Sequence, residues 1–124
     1  MEQWDLYDQN RTPLGKTMQR GQPVPKGCFW VAVSIWTINT QGKILVTLRA
    51  QEKQSWPNYW ENTGGAVLAG ESSLRAAVRE MQEETGICLQ PHQLHFLGTD
   101  PWAAWIFQPK TSAFSREKLP PQNG

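Results

Sequence analysis

Apolar positions along the chain change their spacing several times, and each change predicts an element. Trp4-Asp5-Leu6-Tyr7 reads as a short strand, Asp8 to Arg11 as a turn, and Leu14 to Met18 as the strand returning beside it. Gly21-Gln22-Pro23-Val24-Pro25-Lys26-Gly27 is punctuated by two prolines and two glycines and is therefore a connector. Cys28 to Ile38 is β-branched and aromatic with nothing charged, which predicts a strand buried over most of its length. Asn39 to Gly42 turns the chain, and Lys43 to Leu48 returns as a strand ending at Arg49. Gln51 to Asn58 is a polar loop that runs into Tyr59-Trp60-Glu61-Asn62-Thr63-Gly64-Gly65.

The period then becomes helical. Leu74, Ala77, Val78 and Met81 fall at i, i+3, i+4 and i+7 and make one narrow apolar face. Ser72 or Ser73 caps the start of this helix, and Gly86 stands where a left-handed residue ends it. Leu94 to Gly98 and Trp102 to Phe107 read as two more strands. Gln108 to Gly124 holds Pro109, Pro120 and Pro121 without periodicity, and Thr111 to Leu119 has room for one short helix. The expected fold is α+β, a mixed β-sandwich packed on one helix. Residues 1–27 form a hairpin and connector, 28–107 the core and 108–124 an irregular tail of one domain, 1–124.

Composition narrows the function classes. A length of 124 residues holds one small core. A net charge of +1 and 19% charged residues create no field that draws nucleic acid or an anionic membrane. The polar start has no apolar run of a secretory leader and no stretch is long enough to span a bilayer, so a cytoplasmic location is expected. Cys28 and Cys88 match no zinc or redox spacing and read as reduced, buried thiols. Seven tryptophans fill a small core, with one or two free to line a pocket for a flat group. His92 and His95 match no ligand pattern and read as structural.

The chemistry sits in the second half of the helix. At 100° per residue Glu80, Glu83 and Glu84 span about 100° of surface beside the apolar face. Glu80 and Glu84 repel at i, i+4, and all three acids lie where the helix dipole disfavours negative charge by about 0.3–1 kcal/mol each. A solvated acidic face is the bland explanation for Glu-x-x-Glu-Glu alone. A hard divalent cation such as Mg²⁺ or Mn²⁺ reverses the sign of the cost, because it takes carboxylate oxygens together with substrate phosphates. Arg79 is placed to pair with Glu83 at i+4.

A wider pattern surrounds these acids. Gly65, five residues, Glu71, seven residues, then Arg79-Glu80-Met81-Gln82-Glu83-Glu84-Thr85-Gly86-Ile87 fits G-x5-E-x7-R-E-U-x-E-E-x-G-U at every specified position. Ordinary residue frequencies make a chance match rarer than about one in a million. This is the Nudix box, and over about residues 28–107 the chain resembles the Nudix hydrolases.

The resemblance implies cleavage of a diphosphate linkage in a nucleoside diphosphate derivative or related small molecule, with Mg²⁺ or Mn²⁺. It implies Glu80, Glu83 and Glu84 as metal ligands, with the backbone carbonyl of Gly64 as a further one. Arg79 would orient the carboxylates, Glu80 would also activate water, and Glu71 would support, bridging to Arg79. Gly64 and Gly65 are expected to form a loop whose backbone approaches the phosphates, Gly65 binding substrate. Of the basic residues Arg49, Lys53 and Arg75, Arg49 closes the strand opposite the box and is a candidate for a substrate phosphate, with a surface cation as the alternative.

Trp4 to Arg20 and Trp56-Pro57-Asn58-Tyr59-Trp60-Glu61 are similar to the isopentenyl-diphosphate-isomerase-like branch of the family. Isomerases of that branch need a cysteine after this tryptophan, and Glu61-Asn62-Thr63-Gly64-Gly65 has none, so hydrolysis is expected. Trp30 stands where the branch often has histidine. The family fold continues with a further strand and a C-terminal helix, so the domain is expected to be short at its C-terminal end, weakly stable as a monomer and open to homodimer formation along an uncovered edge. The alternative function is a truncated, catalytically silent module that binds a diphosphate or a protein.

Overall fold

A computed structural model describes residues 1–48 and 60–99, and the backbone of 103–107. Strands β1 (Gln3–Tyr7) and β2 (Pro13–Gln19) pair antiparallel, with Trp4 opposite Met18. Then follow β3 (Ala32–Thr37), the two-residue strands β4 (Thr47–Leu48) and β5 (Trp60–Glu61), β6 (Thr63–Ala66), helix α1 (Ser73–Thr85), β7 (Leu94–Thr99) and β8 (Ala103–Phe107). One mixed sheet has the order β6-β3-β8-β7, with β3 parallel to β8 and the other two pairings antiparallel. The fold is α+β, as the alternation of periods predicts.

Alternation along β3 decides where the helix goes. Val33, Ile35 and Thr37 are buried, and Val33 and Ile35 join Ala76, Ala77 and Met81 of α1 in the main apolar cluster. Thr37 lies against the same helix, its Oγ1 3.7 Å from Met81 Sδ. Leu74 and Val78 of the expected apolar face pack at its margin, while Ala76, too small to stand out in a hydropathy pattern, is fully buried. The caps are where serine and glycine chemistry puts them. Ser72 Oγ accepts the Arg75 N–H at 3.1 Å, and Gly86 adopts φ 77° while its N–H reaches Gln82 O at 2.9 Å.

A second, smaller core joins the hairpin to the sheet. Trp4, Leu6 and Met18 are buried against Cys28, Trp30, Ala66 and Leu68. The Trp4 and Trp30 rings lie 4.4 Å apart at 30°.

Four expectations change. The long strand over 28–38 narrows to β3, because Phe29 gives both its N–H and its carbonyl to Tyr7 and so extends the hairpin instead. Residues 43–48 do not return as one strand: Ile44 bridges Ile38, and Thr47–Leu48 pairs with β5, a change of partner that ends the ladder with β3. The Gly64–Gly65 segment is not a loop but strand β6, paired with Ser34 and Val33. The thiols are free, yet Cys28 is half-buried and Cys88 exposed, since Cys88 follows the helix cap on the solvent side. Arg49, Lys53, the loop 51–58, Trp102 and the tail 108–124 lie outside the described residues.

Candidate active site

The Nudix-box residues meet where β6 passes beneath α1. Arg79 is the hub. Its Nε and Nη2 donate to the two oxygens of Glu71 at 2.9 Å each, a bidentate pair. Nη1 donates to Glu80 Oε1 at 2.9 Å and to Glu83 Oε2 at 3.3 Å, and Nη2 also reaches the Ala66 carbonyl at 3.0 Å. The i+4 pair with Glu83 is therefore present, but it is the weakest of these contacts, and Glu83 is 57% exposed against 12% for Glu80. Glu71 is bound a third time, by the Leu68 N–H at 3.0 Å.

The glycines of β6 are dictated by contact rather than by turn geometry. A Cβ on Gly65 would lie 2.3–2.9 Å from the Glu80 carboxylate, and one on Gly64 would lie 2.5 Å from the Val33 carbonyl. The strand thus lets Glu80 rest directly on its backbone. The Gly64 backbone also favours the charged form of the Glu84 carboxyl, an influence no residue pattern announces.

Environment separates the acids. The Arg79 hydrogen bond holds the Glu71 carboxyl below the usual range, helped by the Leu68 amide and opposed by burial. Burial pushes Glu80 up, against Arg79, with Glu83 and Glu2 of the N-terminal hairpin adding repulsion. Glu84 keeps an exposed flank, but its carboxyl is shielded by the strand below; that desolvation, the charges of Glu80, Glu61 and Glu83, and only partial relief from Gly64 push it up to about 7. The two fields from Glu2 and Glu61 come from distant stretches of chain and left no mark in the spacing of the box.

The donor set suits a hard divalent cation: carboxylate and backbone oxygens, crowded enough that Arg79 balances only part of their negative charge. The side chains do not yet form a cage. Glu80 is turned to Arg79, and among the described residues no three acidic, histidine or cysteine side chains stand close enough to enclose an ion. Arg49 lies outside the described residues, and the remaining cation of the helix, Arg75, is exposed on the first turn. His92 and His95 are exposed.

The family model of the NUDIX domain matches residues 29–117, so the chain belongs to the Nudix family. It is 41% identical over 90 residues to an uncharacterised Nudix hydrolase of Listeria monocytogenes, covering 72% of this chain and 53% of that one. It is also 36% identical over 102 residues to an isopentenyl-diphosphate Delta-isomerase of Escherichia coli, covering 77% and 56%. Among solved structures, a hypothetical Nudix protein from Deinococcus radiodurans superposes with a TM-score of 0.67 at 23% identity over 86% of this chain and 70% of that one, which shows the shared fold. The chain spans about half the length of the curated relatives it matches. No helix among the described residues is long and apolar enough to cross a membrane.

Proposed function

We propose that the chain hydrolyses a diphosphate linkage in a nucleoside diphosphate derivative or related small molecule, with Mg²⁺ or Mn²⁺. The observation that carries this reading is the split within the box: Glu71 is held by both prongs of Arg79, while Glu80 shares only the remaining nitrogen of that guanidinium and Glu84 is desolvated beside Glu80, Glu61 and Glu83. Glu80, Glu83 and Glu84, with the carbonyl of Gly64, would hold the cation, which when bound neutralises diphosphate charge and lowers the pKa of water.

The chain's own residues supply position and a proton acceptor. Arg79 restrains Glu80 and Glu83 from one side. Glu80, its carboxyl raised by burial, is assigned to take a proton from the attacking water, because a raised carboxylate is the stronger base. Gly65 is assigned its part in substrate binding through Glu80, whose carboxylate rests against the β6 backbone where a side chain would stand. Arg49 is assigned a supporting contact to phosphate, tested by Arg49→Ala, which should raise KM with kcat little changed. Hydrolysis is preferred to isomerisation although an isomerase is among the relatives, since Glu61 to Gly65 offers no thiol.

The test is Mg²⁺-dependent release of phosphate or pyrophosphate across nucleoside triphosphates, nucleotide sugars, dinucleotides and isoprenoid diphosphates. Turnover of one class, lost in Glu84→Gln, is the expected result. Silence across the panel from a folded protein that binds Mg²⁺ would overturn hydrolysis in favour of a silent binding module.

A further inference from the structure

We propose that Asp5 of the N-terminal hairpin is a positioning residue for the acidic cluster, acting through the segment 66–71 that joins β6 to α1. The inference rests on the metal-site reading above. Two-stranded hairpins are marginal by themselves, so what the hairpin is fastened to determines what it does.

β1 is held along the edge that β2 does not use. At one end Tyr7 exchanges two backbone hydrogen bonds with Phe29, both 2.8 Å. At the other, Gln3 O accepts the Ala69 N–H at 2.7 Å, and Asp5 Oδ2 accepts the Gly70 N–H at 2.8 Å. Gly70 sits at φ 79°, where the segment turns toward the helix. Beneath this edge Trp4, Leu6 and Met18 pack on Ala66 and Leu68.

The same six residues hold the box from their other side. Leu68 N–H donates to Glu71 Oε1 at 3.0 Å, and Leu68 O accepts the Glu71 N–H at 2.9 Å. Ala66 O accepts Arg79 Nη2 at 3.0 Å. Segment 66–71 is thus clamped between the hairpin and the Glu71–Arg79 pair, and Arg79 in turn restrains Glu80 and Glu83. Asp5 supplies the charge-assisted bond of the outer clamp. Releasing it frees the turn at Gly70, loosens the Glu71 cradle and lets the Arg79 fork drift. Outer-shell partners of metal ligands typically carry about 10–100-fold in affinity. Asp5 lies one step further out, and about three- to tenfold is expected.

The experiment measures Mn²⁺ affinity by electron paramagnetic resonance for wild type, Asp5→Ala and Asp5→Asn, well below each variant's melting temperature. Asparagine keeps an acceptor oxygen without the charge, so D5N should bind between wild type and D5A, and D5A several-fold more weakly than wild type with unchanged circular dichroism. In parallel, amide exchange at Ala69 and Gly70 of wild type should slow on saturation with Mg²⁺, because coupling between two sites is reciprocal. If wild type does not bind Mn²⁺, the metal-site reading falls and this inference with it. If wild type binds and D5A binds equally well, or Gly70 exchange is unmoved by Mg²⁺, the inference alone is overturned. Should D5A not fold, the exchange measurement on wild type decides.

Discussion

The two ends of the Nudix box contain the same side chain under opposite conditions. Glu71 accepts three hydrogen bonds, two of them from one guanidinium, and its carboxyl is driven down. Glu84, thirteen positions on, is desolvated with the like charges of Glu80, Glu61 and Glu83 around it and partial relief from the Gly64 backbone, and its carboxyl is driven up to about 7. The first is a finished interaction and the second an unfinished one. A fold keeps an unrelieved acid cluster at a cost in stability, and a cation is the ligand that offsets it.

The largest effect expected from breaking this contrast comes from Arg79→Ala. It leaves Glu71 and Glu80 without their cation and the Ala66 carbonyl without its donor, which should cost about 2–4 kcal/mol by urea denaturation. Arg79→Lys should recover only part, since an ammonium cannot form the two-pronged bond to Glu71. A full recovery would show that charge rather than geometry matters at this hub.

The glycines give the next effect and separate scaffold from chemistry. Gly64→Ala drives a methyl into the Val33 carbonyl, a backbone atom that cannot step aside, and should cost about 1–3 kcal/mol. Gly65→Ala meets only the end of the Glu80 side chain, which can swing away. Its stability loss should be the smaller, while its Mn²⁺ affinity falls because Glu80 is displaced. Equal stability losses would contradict the assignment.

The smallest effect is in the pH dependence, and its sign differs between the two glutamates. A carboxyl raised in the folded state binds more protons folded than unfolded between about 4.5 and 7, so Glu84 makes metal-free stability fall as pH rises through that window. Glu71, depressed by Arg79, contributes stability that is present above its unfolded value of 4.5 and is lost as pH falls through its lower folded value. In chelator at neutral pH, Glu84→Gln should therefore raise the urea midpoint and Glu71→Gln lower it. A rise in both, or a fall in both, would remove the distinction.

Much of this was legible before any coordinates. Helix α1 with its Ser72 and Gly86 caps, the hairpin β1–β2 and the membership of Glu71, Arg79, Glu80, Glu83 and Glu84 in one box follow from local rules: a period of 3.6, turn residues, and a spacing too specific for chance. Other features needed partners distant in the chain. Phe29 leaves β3 for Tyr7, and Gly64 and Gly65 form a strand because Ser34 and Val33 wait beside them.

Which residues form the helix, and which acids it carries, is therefore settled locally along the chain, since both depend on neighbours within a few positions. How each acid behaves is settled only once the chain has folded. Whether a glutamate is held down by Arg79 and Leu68 or pushed up by Glu80, Glu61 and Glu83 depends on burial and on charges brought together from across the chain. Desolvation and Coulomb interaction act over ångströms of space, whatever the distance along the sequence.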